Sequence, residues 1–349
     1  MREYLPGIAG NGELCRRLGR DIENGAFSHA YILSSPLGGG KELLATELIA
    51  ALACEHRTDQ GHALPCGTWA ACRKIKGGHS PDVTHIRRAE GKATLGVDDV
   101  RRLRADVSTV PNDLSFKVYI LHDAHTMTVQ AQNALLLTLE EPPQFVRFLL
   151  LADDPSVLLE TIRSRAPILR MLPVSPEETK AFLLSPLREP RISRAAAGLQ
   201  ESAPEELDAI LRAAHGSIGR AIELLDPAER APVLESRAAI HQLCRLLAKR
   251  TSPQDVLLAL LAFGKGREDV VSRLLLLQEA LRDLLAALYS DEPPLLFFTD
   301  AEAALELASA FTARRLLSAL ENISLSLEAL AANGNVRLAL FELFGKLTV

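Results

Sequence analysis

The apolar run Ala30-Tyr31-Ile32-Leu33 passes directly into Ser34-Ser35-Pro36-Leu37-Gly38-Gly39-Gly40-Lys41, and then into KELLATELIAALAC. Such a run before glycines reads as a buried strand, and the Ala/Leu-rich segment after it reads as a helix free of Pro and Gly. A strand–loop–helix unit is therefore expected. Its loop nearly matches G-x-x-x-x-G-K-[ST], in which backbone N–H groups cradle phosphates, the Lys reaches the outer phosphates and the hydroxyl ligates Mg²⁺. Gly40 and Lys41 fit the pattern. Ser35 replaces the first Gly, and Glu42 replaces the hydroxyl residue. The plainer alternative is a glycine turn ahead of a surface helix, and Glu42 lends it weight.

The unit is repeated in spirit through the first half. Asp82–Ile86, KVYILHDA and VRFLLLADD read as further strands, separated by the helical patterns VDDVRRLRADVS and TVQAQNALLLTLEE. The first of these helices has acidic residues in its first turn and basic ones later, as its dipole favours. The second is stopped by Pro142-Pro143. Strands alternating with helices predict an α/β fold with a mainly parallel sheet and helices on both faces.

From Pro173 onward the strand signal ends. SPEETKAFLL opens on a capping box, Ser175 with Glu178. Short helices continue to about Leu225, and Pro227 and Pro232 mark an expected linker. The remainder is rich in Leu and Ala at helical spacing, broken near Ser252-Pro253 and Asp291-Glu292-Pro293-Pro294, which predicts an all-helical region. The expected division is an α/β domain over 1–172, a small helical domain over 173–228 and a helical domain over 233–349.

The formal net charge of −5 argues against nucleic-acid affinity spread over the whole surface, although a local basic face is compatible with it. The arginines of RRLRADVS are candidates for phosphate contact, and an exposed helix face explains them equally well. No apolar stretch of membrane-spanning length is present, and the N-terminal segment has no apolar signal core, so a cytoplasmic location is expected. Five cysteines make an odd set with three clustered, which favours a metal site or buried thiols over a disulfide framework.

Nucleotide hydrolysis on such a sheet needs an acidic pair at the end of a second strand, for Mg²⁺ and for the attacking water. VYILHDAH stands at that place, but only Asp123 is acidic and His122 precedes it.

SHAYILSSPLGGGK, KVYILHDAHTMTVQAQNALLLTLEEPP and LLETIRSRAPIL resemble consecutive motifs of the AAA+ subunits of bacterial sliding-clamp loaders. The resemblance spans about residues 8–225 and extends more weakly to AANGNVRLALFELF. Its most specific block, NALLLTLEEPP, departs from the usual form at Leu137, where a Lys is common.

The resemblance implies a RecA-like AAA+ domain, a helical lid and a helical collar. It places His122 and Asp123 at the Asp-Glu pair of the family's motor subunits. With Gly38, Gly40, Lys41 and Glu42 they would form a degenerate nucleotide site, so ATP hydrolysis by this chain is not expected and no cofactor is required. A carboxylate at 42 would repel a phosphate. Lys41 would pair instead with Glu42 or another carboxylate, and the glycines would serve the turn alone.

Arg165 matches the family's Ser-Arg-Cys motif, with Ala166 for the Cys. The resemblance makes it an arginine finger acting in trans on a neighbour's ATP. Taken by itself it reads as a solvated arginine beside Arg163 and Arg170. In HGSIGRA, Gly219 falls where the family carries a nucleotide-sensing arginine, and Arg220 lies one later.

The family also inserts a four-Cys zinc module after the loop helix. Cys54, Cys66 and Cys72 keep its spacing (residues 54–72), while Trp69 stands in place of a Cys. A closed zinc site needs a fourth ligand, which His56 or His62 could supply. The alternative is a decayed module without metal, and it is slightly favoured. His79 and His85 read as structural or solvent-facing.

The implied partners are gamma/tau motor subunits and the delta subunit, with the sliding clamp and primed DNA handled by the assembly. Two other readings stay open at this stage: a hydrolysing motor subunit using Lys41 and Asp123, and an independent nucleic-acid-binding P-loop protein.

Overall fold

Five parallel strands in the order β2-β3-β4-β1-β5 carry the first half of the chain. They are β1 (Ala30–Ser34), β2 (Val83–Ile86), β3 (Lys117–Leu121), β4 (Val146–Ala152) and β5 (Ile168–Arg170). The computed structural model describes residues 2–347, apart from 36–37, 89–91, 186–189, 250–251, 265 and 291. Pro36 and Leu37 of the glycine loop therefore lie outside the described residues.

Side-chain alternation divides each inner strand between two cores. Tyr31 and Leu33 of β1 join Val118, Ile120, Leu149 and Leu151 on one face. Ala30 and Ile32 join Tyr119, Leu121, Phe148 and Leu150 on the other. With both faces covered, these strands read as unbroken apolar runs, as parallel sheets require. The first face is covered by α1 (Gly12–Glu23), α2 (Lys41–Leu52) and α3 (Ala70–Lys76). The second is covered by α4 (Val97–Asp106), α5 (Val129–Glu140) and the short α6 (Glu160–Arg163). This is the expected α/β class, a parallel sheet with helices on both faces, followed by helices.

The four strands read from sequence are present; those in KVYILHDA and VRFLLLADD stop before the end of the quoted runs, and β1 extends one residue further, to Ser34. β5 and α1 have no counterpart in that reading. β5 is only three residues long, with one buried side chain, so it leaves almost no pattern.

The chain divides into two compact units. One holds Met1–Phe182 with Gly216–Gly219, and the other holds Leu183–His215 with Arg220–Val349. In the second unit the expected linker at Pro227 and Pro232 is corrected: both belong to one helix, Pro227–Lys249. Pro227 opens it, where a missing N–H costs nothing, and Pro232 removes a single intrahelical bond.

That helix and those after it bury a shared core around Leu243, Leu277, Leu281 and Ile323. Arg212 donates to the Leu295 carbonyl (2.7 Å), and Arg230 pairs with Glu206 (3.2 Å). Residues on both sides of the expected linker are thus tied into one unit. The Ser175–Glu178 capping box forms in both directions, at 3.1 and 3.4 Å.

Candidate functional site

The carboxyl ends of β1, β3 and β4 meet along one edge of the sheet, where open α/β folds place their ligands. At the end of β1, Gly38 and Gly40 hold positive φ angles of 74° and 86°, a conformation open to glycine at little cost. Gly40 caps α2 and its carbonyl accepts from the Leu44 N–H. Lys41 then points back across the loop. Its Nζ donates to the Ser35 carbonyl (2.6 Å) and to Asp153 Oδ1 (2.6 Å).

Of the two carboxylate partners open to Lys41, the structure selects the distant one. Asp153 directly follows β4, and sequence reasoning missed it. The signal was present as the acidic pair closing VRFLLLADD, which in a parallel sheet must emerge beside the loop.

Glu42 pairs with Arg87, whose Nη2 lies 2.7 Å from Oε1. The other carboxylate oxygen faces His122 Nδ1 at 3.9 Å. Arg88 binds Asp123 through Nε and Nη2 at 3.2 and 2.9 Å. Consecutive arginines at the end of β2 therefore neutralise the two acidic positions inherited from the loop helix and from the end of β3.

Asp123 itself adopts the left-handed conformation, with φ of 48°. His122 is buried and stacks on His85, with the His85 Nδ1 and His122 Nε2 atoms 2.9 Å apart. Burial holds both imidazoles below the ordinary histidine range, against the opposing pull of Glu42. His85, read as structural or solvent-facing, is thus a direct partner of a site residue.

Arg165 sits at the far side of the same unit, just after α6. Its Nη2 meets Glu140 Oε1 at 2.7 Å and its Nη1 donates to the Thr161 carbonyl at 2.9 Å. The guanidinium is about a third exposed and its carboxylate partner is more exposed still. Ala166 is fully buried in the sheet's second core, so a small apolar residue suits that place. Arg163, itself exposed, donates through Nε to the Leu158 carbonyl at 3.1 Å.

Gly219 abuts the glycine loop: a Cβ there would lie 3.2 Å from the Gly38 carbonyl oxygen. Arg220 pairs with Glu223 at 2.8 Å.

The three clustered thiols converge, with their sulfurs all within 4.8 Å. Cys66 and Cys72 are 4.0 Å apart. Burial alone would raise Cys66, but hydrogen bonds from the Thr68 side chain and from the Trp69 and Thr68 backbone hold it at about 6. Burial, then the neighbouring thiols, pushes Cys72 up to about 12.

His56 and His62 gather instead on Asp59, at 3.6 and 3.4 Å. Among the described residues no fourth ligand-type side chain joins the thiols. The donor set fits three corners of a tetrahedral zinc site and lacks the fourth.

Comparison with known proteins finds likeness over part of the chain. Residues 10–175 match the family model described as DNA polymerase III, delta subunit. DNA polymerase III subunit tau of Escherichia coli K12 is 34% identical over 221 residues, covering 63% of this chain and 32% of that protein. Subunit tau of Bacillus subtilis is 37% identical over 159 residues, covering 45% and 27%. These matches support a clamp-loader family.

The chain spans about a third of the length of those relatives. Among solved structures, a DNA polymerase III gamma subunit-related protein of Thermotoga maritima aligns over 95% of this chain and 97% of its own, at 19% identity and a TM-score of 0.41. The Bacillus subtilis DNA clamp loader delta protein aligns over 96% and 99%, at 15% identity and a TM-score of 0.35. No helix among the described residues is long and apolar enough to cross a membrane.

Proposed function

We propose that this chain is a non-hydrolysing clamp-loader subunit, of the delta-prime type, in a DNA polymerase III assembly. The observation that carries the reading is the internal neutralisation of the glycine loop. Lys41 is held by Asp153, Glu42 by Arg87 and Asp123 by Arg88. A bound ATP·Mg²⁺ would have to draw the shielded Lys41 away from Asp153, and Glu42 would still face its phosphates without a hydroxyl for the metal.

In this reading no cofactor is required, the Cys54–Cys66–Cys72 cluster is a module that has lost its obligatory zinc, and the chain works in the cytoplasm. Residues 1–172 serve as a degenerate AAA+ domain, 173–228 as lid and 233–349 as collar. The partners are gamma/tau motor subunits and the delta subunit, and the assembly handles the sliding clamp and primed DNA.

Arg165 is the group this subunit offers its neighbour. Its solvent-accessible pair with Glu140 resembles the surface ion pairs that contribute only about 0–1 kcal/mol, so an incoming phosphate can displace the carboxylate.

A second reading, a hydrolysing motor subunit, is favoured by one observation: the relatives quoted above are tau subunits. ATP turnover by the purified chain decides between the two. The delta-prime reading expects background hydrolysis alone and full clamp loading after reconstitution with motor and delta subunits. Turnover abolished by Lys41→Ala would instead establish the motor.

A further inference from the structure

Three elements deliver nitrogen and oxygen ligands to one point beside the glycine loop. Glu42 comes from the first turn of α2, His85 from β2, and His122 from the residue after β3. One ligand atom from each lies within 4.8 Å of the others. We propose that these residues bind a single divalent transition-metal ion, zinc or another ion that prefers imidazole.

The imidazole nitrogens of His85 and His122 are already 2.9 Å apart. Two nitrogens each about 2.0–2.1 Å from a tetrahedral zinc lie about 3.3 Å apart, so the ion enters once the rings part by a few tenths of an ångström. Arg87 occupies Oε1 of Glu42 and leaves Oε2 3.9 Å from His122 Nδ1, so a small swing of the Glu42 side chain brings that oxygen to the paired nitrogens. The guanidinium thus fixes the carboxylate as an outer partner does in metal sites, with one oxygen available to the ion. Three protein ligands leave a coordination position open to water.

The ligand set also states which ions are excluded. Magnesium and calcium take oxygen ligands almost entirely, whereas two imidazoles and one carboxylate suit zinc, cobalt and nickel. Proton balance is simple. The hydrogen bond between the rings uses one N–H; as the ion enters, that ring carries its proton on its other nitrogen. Both rings stay neutral, both lone pairs face the metal, and no net proton is released. A plain histidine stack explains the 2.9 Å contact without metal, and the Arg87 pair by itself places Glu42, so only metal uptake distinguishes a site from these two contacts.

The ion would tie the start of α2 to the β2–β3 edge of the sheet, bracing a loop that holds no nucleotide in the reading above. The site itself does not depend on that reading, because it needs only the three side chains.

The test is titration of the full metal-free chain with Co²⁺, followed by visible absorption and by thermal unfolding. The unmodified chain should take up Co²⁺ with nitrogen/oxygen ligand-field bands that carry no thiolate charge-transfer component, and its melting temperature should rise with free metal. Glu42→Gln and His85→Gln, both at exposed positions, and His122→Gln should each lose about one equivalent of that uptake and the accompanying thermal shift. Cys66→Ser and His62→Ala should retain both, which separates this site from the thiol cluster and from the His56–Asp59–His62 group.

Circular dichroism of the exposed-site variants establishes that they are folded. Equal uptake and equal thermal shift in Glu42→Gln and His85→Gln overturn the proposal, as does an unmodified chain that shows no such bands.

Discussion

The glycine loop and the segment after α6 both carry charges suited to a nucleotide, yet they treat them in opposite ways. Around the loop, Lys41 is bound to Asp153 after β4, and Glu42 and Asp123 are bound to the consecutive arginines after β2. The Lys41 side chain is only 12% exposed. Arg165 pairs with Glu140 at the surface, within reach of solvent. Coulomb attraction at the shielded Lys41 survives the solvent screening that weakens the exposed Glu42–Arg87, Asp123–Arg88 and Arg165–Glu140 pairs alike. The contrast lies between the two cations: Lys41 is shielded on Asp153, whereas the Arg165 guanidinium stays about a third exposed.

The largest effect expected from this contrast is at Arg165. In a reconstituted loader, Arg165→Ala should slow hydrolysis at the one nucleotide it serves by about 10³-fold or more, the usual worth of a trans arginine. Other sites keep their own groups, so total DNA- and clamp-stimulated ATPase should fall only in part. Arg163→Ala should do much less, since that side chain is turned to the Leu158 carbonyl. Wild-type ATPase in a complex shown to contain the Arg165→Ala chain would remove the contrast altogether.

A deeper case of internal charge is Asp82, fully buried ahead of β2. Its carboxylate accepts the N–H groups of Asn112, Asp113 and Leu114 at 2.7–2.8 Å. Asp82→Ala leaves those donors without a partner and should cost about 2–4 kcal/mol of stability, read by chemical denaturation. No comparable loss should follow Glu140→Ala at the surface. If the two variants are equally stable, internal pairing is not what holds this unit.

The same residue sets a pH dependence. Burial works to raise the Asp82 pKa, but the backbone donors and the nearby Lys117 charge outweigh it and hold the group below the ordinary carboxylate range. A depressed folded-state pKa gives stability that is complete above the unfolded value, about 3.9, and lost as pH falls through the folded value. Acid unfolding should therefore steepen below about pH 4, and Asp82→Asn should flatten that limb. An unchanged acid limb in the variant would exclude the linkage.

How much of this was legible in the sequence follows from how local each signal is. The strands Ala30–Ser34 and Lys117–Leu121 are buried on both faces, so their apolar runs announced them. The strand Ile168–Arg170 exposes two of its three side chains to some degree and announced nothing. Pro227 and Pro232 suggested a linker because proline breaks helices, but helix starts accept it and a long helix tolerates one lost bond. At the site, the loop residues were visible because they are contiguous. The partners Asp153, Arg87 and Arg88 were not, because strand order brings them there and pair spacing in the sequence does not reveal it. His56 and His62 illustrate the reverse: proximity in sequence to three cysteines placed them near the module without aiming them at its sulfurs.

The smallest expected effect is at Lys41, and it sharpens the contrast most. In a working nucleotide loop this lysine is the residue whose loss abolishes turnover. Here its ammonium is bound to Asp153 and the Ser35 carbonyl. Lys41→Ala should then leave clamp loading and assembly ATPase unchanged. It should lower thermal stability only slightly, by about 1 kcal/mol, because Asp153 lies near enough to solvent to be hydrated once its partner is gone. Asp153→Asn should behave alike, and combining the two should add little, since each removes the same pair. A fall in loader ATPase with Lys41→Ala as deep as that with Arg165→Ala would mean that the loop still serves a nucleotide. The two regions would then be using their charge in the same way.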